Sequence, residues 1–66
     1  MDIVINGEPR RLPDGTSLAQ AVALLTSSAA GLAVALNGEV VRRPAWAGTE
    51  LAAGDEVEVL TAVQGG

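Results

Sequence analysis

Two Asn-Gly dipeptides, Asn6-Gly7 and Asn37-Gly38, punctuate this chain and fix most of what it can become. Asn and Gly accept the positive φ angles required at both central positions of a type I′ turn, the two-residue turn whose twist matches the strands it joins. Short aliphatic segments flank each dipeptide. Before the first, Met1, Ile3 and Ile5 fall on one face and Asp2, Val4 and Asn6 on the other, the period-two pattern of a strand with one buried side. Residues 8–12 return as a second strand, and Pro9, which cannot donate a ladder hydrogen bond, predicts that this strand is an edge. Around the second dipeptide, residues 33–37 form a third strand with Val34 and Leu36 turned inward, and residues 39–43 a fourth, stopped by Pro44.

Between the hairpins the period changes. After the turn cluster Pro13-Asp14-Gly15, Ser17 stands three residues before Gln20. In this capping-box spacing, each side chain satisfies a free backbone N–H of a helix's first turn. Leu18, Ala21, Val22 and Leu25 then recur at helical spacing and form one apolar stripe. Thr26-Ser27-Ser28 weakens the helix, and Gly31 is the expected terminator. Residues 44–53 read as short and irregular, with Trp46 and Leu51 as lids over one end of the core. Gly54-Asp55 is the last turn. Residues 56–63 form the final strand, with Val57, Val59 and Thr61 on one face and Glu56, Glu58, Leu60 and Ala62 on the other.

The order β-β-α-β-β-β, with a single helix, leaves one economical packing. A single mixed sheet of about five strands buries one face under the helix, and the first and last strands lie side by side, parallel, in its middle. This is an α+β fold of the β-grasp (ubiquitin-like) arrangement. Residues 1–62 make the domain, and residues 63–66 are expected to form a flexible tail ending in Gly65-Gly66.

Composition narrows the chemistry. With 66 residues the chain makes one domain near the lower size limit for folding alone. It has no Cys and no His, so neither disulfides nor Cys/His zinc sites are available to help. Apolar residues are 48% of the chain and Trp46 is its one aromatic, so the core must be aliphatic. Lys and Tyr are also missing. The Ser and Thr hydroxyls therefore have no imidazole or amine side chain to activate them, and Ser17 reads as a cap rather than a nucleophile. A stand-alone enzyme is not expected. A net charge of −4 with only two Arg pairs, Arg10-Arg11 and Arg42-Arg43, argues against nucleic acid, which needs a basic stripe. No apolar run reaches membrane-spanning length and no signal-peptide pattern opens the chain, so a cytoplasmic location is expected. Asp55, Glu56 and Glu58 read as solvated acids rather than a metal site, and no bound cofactor is expected.

The terminal Gly65-Gly66 is the feature with functional content. Two residues without a Cβ can thread a channel too narrow for side chains and bring a carboxylate into it. Several segments together resemble the small sulfur-carrier proteins of thiamin biosynthesis, the ThiS-type carriers. They are Ala35-Leu36-Asn37-Gly38-Glu39-Val40-Val41, Arg43-x-x-Trp46-Ala47, Gly54-Asp55-Glu56-Val57 and Val63-Gln64-Gly65-Gly66. The resemblance spans essentially the whole chain. It departs at Val41-Arg42-Arg43-Pro44, where family members often read Val-Pro-Arg.

The resemblance implies a protein that is a substrate rather than a catalyst. A ubiquitin-activating-like adenylyltransferase would use ATP to convert the Gly66 carboxylate to a glycyl adenylate. Sulfur from a persulfide donor would then displace AMP and leave a thiocarboxylate (1-thioglycine), and thiazole synthase would take up that sulfur. Gly65, Gln64 and Val63 would thread the active site behind Gly66. Val4, Leu60 and Ala62 are expected to share the sheet face opposite the helix, where an exposed aliphatic patch beside the tail suits partner docking. The alternatives are a carrier for molybdopterin or cysteine synthesis, a ubiquitin-like modifier, and a plain β-grasp interaction module.

Overall fold

The computed structural model describes residues 1–25 and 31–61. Five strands, β1 (Asp2–Ile5), β2 (Glu8–Arg11), β3 (Leu32–Leu36), β4 (Glu39–Val41) and β5 (Glu56–Thr61), form one sheet in the order β2-β1-β5-β3-β4. The helices are α1 (Leu18–Leu25) and the short α2 (Arg43–Trp46). β1 and β5 pair parallel in the centre, with Ile5 opposite Val57, and the other pairings are antiparallel. The architecture is the mixed-sheet β-grasp expected from the pattern.

Both Asn-Gly turns adopt the predicted geometry. Asn6 and Asn37 have φ of 52° and 51°, followed by Gly7 and Gly38 at 80° and 86°. Each turn fixes the register of its hairpin, Ile5 opposite Glu8 and Leu36 opposite Glu39. Pro9 lies in the edge strand β2, where its missing N–H costs no internal bond.

The helix start is built as its sequence predicts. The Ser17 N–H donates to Gln20 Oε1 at 2.9 Å, and the Gln20 N–H donates to Ser17 Oγ at 3.1 Å. The Thr16 hydroxyl instead donates to the Pro13 carbonyl at 2.6 Å, within the turn before the helix. Backbone bonds from Leu18 N–H to Thr49 O and from Leu51 N–H to Thr16 O tie this corner to the segment after α2. Ser17→Ala removes half of the capping box, and we expect a loss of about 0.5–2 kcal/mol, read as a lower denaturant midpoint. A midpoint equal to the wild type's would show that the cap contributes nothing.

The core is aliphatic around one indole. Ile3, Ile5, Leu12, Leu18, Ala21, Val22, Val34, Leu51 and Val57 are buried together with Trp46. Leu18, Ala21 and Val22 are the buried residues of α1, while Leu25 packs on the core half-buried. Each Ile, Leu or Val taken out of water in this way contributes roughly 1.5–3 kcal/mol, which is how so small a chain can fold without a metal or disulfide.

The segment after β4 differs from expectation. β4 ends at Val41 rather than residue 43, and residues 44–53 are not wholly irregular, because α2 occupies Arg43–Trp46. Pro44 sits in the first turn of α2, where a proline's fixed φ is preorganised for helix and its missing N–H has no intrahelical partner to lose. Trp46 and Leu51 are buried as expected. β3 is shifted one residue toward the N-terminus of its expected span, and β2 stops at Arg11, one residue short. Gly31 has a positive φ of 75°. Thr26-Ser27-Ser28 and residues 62–66 lie outside the described residues.

Candidate functional site

β5 is the strand from which the tail departs, and the sheet is arranged around it. Its start is held tightly. Gly54, with φ of 88°, makes the turn, and the Gly54 N–H donates to Asp2 O at 2.7 Å. Asp55 stabilises the same corner through both carboxylate oxygens, accepting from Asn37 Nδ2 at 3.0 Å and from the Ala52 N–H at 2.7 Å. Asn37 completes it by accepting from the Glu56 N–H at 2.9 Å. Asp55 is thus occupied in a turn, and none of the described Asp and Glu residues gather into a group suited to a metal ion.

Alternation along β5 sorts its side chains. Val57 is buried and Val59 half-buried on the helix side, whereas Glu56, Glu58 and Leu60 are exposed on the opposite face. Register places Val4 beside Glu56, Ala35 beside Glu58 and Ala33 beside Leu60, and sets Val40 next to Ala35. The open face therefore carries two large apolar side chains, Leu60 at 64% exposure and Val40 at 77%, with Ala33 and Ala35 beside them.

Of the residues expected to dock a partner, Val4 and Leu60 share this face, but Val4 is half-buried and level with Glu56. Four residues of strand, about 13 Å at roughly 3.3 Å each, separate it from Leu60. Ala62 lies outside the described residues, as do Val63, Gln64, Gly65 and Gly66. The apolar neighbour that the register gives Leu60 is Ala33 on β3, while Val40 on β4 lies beyond Ala35, level with Glu58. Val40 was legible in principle: with Asn37-Gly38 as a two-residue turn, Val40 must pair with Ala35 and point away from Val34 and Leu36.

Two further side chains escape a sequence reading. The Asn6 carboxamide reaches β5, accepting from the Val59 N–H at 2.8 Å and donating to the Val59 carbonyl at 3.2 Å. Asn37 makes the corresponding contacts at Glu56 and Asp55. An Asn-Gly pair announces a turn, but nothing in it shows which strand will lie beside the turn.

Charge on the sheet's far side is self-compensated. Arg11 Nε donates to Asp2 Oδ1 at 3.0 Å, and this bond, reinforced by the guanidinium charge, holds the Asp2 carboxyl below its ordinary value. A lowered carboxyl stabilises the fold above the ordinary carboxylate range, and that contribution is lost as pH falls through the lowered value. Both groups are exposed, so the pair matters little. Among the described residues no helix is long and apolar enough to cross a membrane.

Comparison with known proteins bears on the whole chain. The sequence model described as the ThiS family matches residues 3–66. Among solved structures, the crystal structure of the thiamine biosynthesis protein ThiS from Geobacter metallireducens is 33% identical, with all of both chains covered and a TM-score of 0.85. A solution structure of a thiamine biosynthesis protein from the same organism is 32% identical. It covers all of this chain and 88% of the other, with a TM-score of 0.79. No curated protein sequence gives a significant match.

Proposed function

The chain belongs to the ThiS family, and from that membership we propose that it carries sulfur for thiazole formation in thiamine biosynthesis, on the carboxylate of Gly66. The observation that carries this reading is that the family match runs through Gly66 itself. The composition agrees. A chain without His, Cys, Lys or Tyr is poorly equipped to catalyse but well suited to be acted on.

The chemistry follows from the carboxylate's weakness as an acceptor. Its oxygens are poor leaving groups, so an ATP-dependent adenylyltransferase joins one of them to AMP and releases pyrophosphate. The outer sulfur of a persulfide attacks the acyl carbon and AMP departs. A thiol then cleaves the S–S bond, leaving with the donor as a disulfide and freeing the thiocarboxylate. Thiazole synthase takes the sulfur from there. ATP belongs to the activating enzyme, and this chain needs no cofactor of its own. The setting is the cytoplasm.

The chain's own residues contribute presentation. β5 carries the tail out of the centre of the sheet. Val63, Gln64 and Gly65 thread the enzyme's channel, and the body docks through the open face around Leu60, with Ala33 beside it, Val40 across β3 and Val4 at its far end. Such a face is mixed rather than continuously apolar, suited to a transient partner.

Intact-mass measurement after incubation with ATP, the adenylyltransferase and a persulfide donor tests the reading. The expected result is one oxygen replaced by sulfur, localised to Gly66 by fragmentation. An unchanged mass with every component active would refute it, and a gain of mass by a target protein would favour a modifier.

A further inference from the structure

β1 ends at Ile5, opposite Val57, whereas β5 continues to Thr61. The odd residues of β5 turn their backbone groups toward β1: the Val4 N–H donates to Asp55 O and the Asn6 N–H to Val57 O, both at 2.9 Å. The even residues turn theirs toward β3, as the bond from the Asn37 N–H to Glu56 O illustrates. Val59 is thus the first residue whose N–H and carbonyl face a side that β1 has already left.

The Asn6 carboxamide stands in that place. Its Oδ1 accepts from the Val59 N–H at 2.8 Å and its Nδ2 donates to the Val59 carbonyl at 3.2 Å. A carboxamide offers a donor and an acceptor in one plane, as a peptide unit does, so the ladder continues through a side chain while the backbone turns away at φ 52°. Asn37, in the same backbone conformation, works at the other end of β5, on Glu56 and Asp55. Asn37 secures the start of the strand; Asn6 secures the root of the tail.

We propose that Asn6 is a positioning residue for activation of the C-terminus, setting the direction in which β5 presents its tail to the activating enzyme. The proposal rests on the reading of Gly66 as the activated residue. β5 runs two residues past Val59 to Thr61, about 7 Å at roughly 3.3 Å per residue. A swing of about 10° at Val59 therefore moves the root of the tail by about 1 Å, and a misplacement of about 1 Å can slow a reaction 10²-fold. β3 holds β5 from one side, and the two Asn6 bonds oppose bending toward the vacated side. Docking rests on other side chains, so losing the clamp acts after binding.

The test compares the full chain with Asn6→Gly, which keeps the turn's conformational freedom and removes both bonds, and with Asn37→Gly, the same change in the other hairpin. Amide exchange at Val59 should rise about tenfold or more in Asn6→Gly. In ATP-dependent thiocarboxylate formation its kcat should fall about tenfold with KM within about twofold, whereas Asn37→Gly keeps kcat within about twofold. Asn6→Asp, which retains an acceptor but sets a carboxylate oxygen against the Val59 carbonyl, should lower kcat in the same sense and serves if Asn6→Gly folds poorly. Unchanged kcat in a folded Asn6 variant overturns the proposal. So does an equal fall in Asn37→Gly, which would mean general loosening of β5. A wild-type chain that gains no sulfur is a different failure: it removes the functional reading, and this assignment with it, whatever the variants do.

Discussion

Trp46→Ala should remove a large share of this domain's stability and lower its denaturation midpoint sharply. Trp46 is the one aromatic residue in the chain and is 4% exposed. Its indole Nε1–H donates to the Val41 carbonyl at 2.8 Å, which ties α2 to the end of β4. Replacing a buried Trp by Ala costs about 3–5 kcal/mol through lost burial and the cavity left behind. A domain of this size has a total stability of roughly 3–10 kcal/mol, at about 0.05–0.15 kcal/mol per residue, so one substitution removes a large share of it. Trp46→Phe keeps most of the apolar volume and loses the hydrogen bond, and should cost less, about 1–3 kcal/mol. Far-UV circular dichroism during denaturation is the appropriate measurement, since both variants lose the indole fluorophore. A Trp46→Ala midpoint close to the wild type's would show that the indole is a cover rather than a structural member.

What the sequence discloses and what it hides separate along a physical line. Local chemistry is legible: Asn-Gly fixes two hairpins because few residues tolerate both positive φ angles, and Ser17 with Gln20 marks a helix start because the reciprocal bonds span three residues. A single sheet follows, since one helix can cover only one face, and two hairpins on its flanks leave the first and last strands to pair in the centre. α2 stays hidden because four residues show no period and because Pro44 reads equally as the end of a strand or the first turn of a helix. Leu12 lies just beyond the end of β2, and its burial depends on how the chain turns toward α1. The proposed docking face needs register as well as alternation. Alternation puts Val4 and Leu60 on one side, but only the pairing of Val4 with Glu56 shows how far apart they lie. The Asn6 clamp is the least legible of all, because residues 6 and 59 become neighbours through the topology alone.

Deleting Gly65 and Gly66 should separate folding from function completely. Neither residue has a side chain to pack, and both lie beyond Thr61, the last residue of β5, so the melting temperature should stay almost unchanged. Activation by ATP should nonetheless be abolished, because the shortened chain ends at Gln64, two residues short of the reacting position and with a bulky side chain at its end. One residue added after Gly66 should fail for the converse reason: the carboxylate overshoots the point where it must meet the α-phosphate. Gly66→Ala is the finer probe. A single methyl at the reacting residue should slow adenylation strongly while leaving KM near the wild type's, because in the proposed reading docking is made by the open face around Leu60 and not by the tail. Pyrophosphate release and intact mass read the chemistry, and thermal denaturation reads the fold. A truncated chain that still gained sulfur would place the acceptor elsewhere in the molecule, and one that unfolded would make the tail part of the domain. The combination of an intact fold with a silent C-terminus is what a carrier requires, because a domain that only binds a partner has no use for a free carboxylate at Gly66.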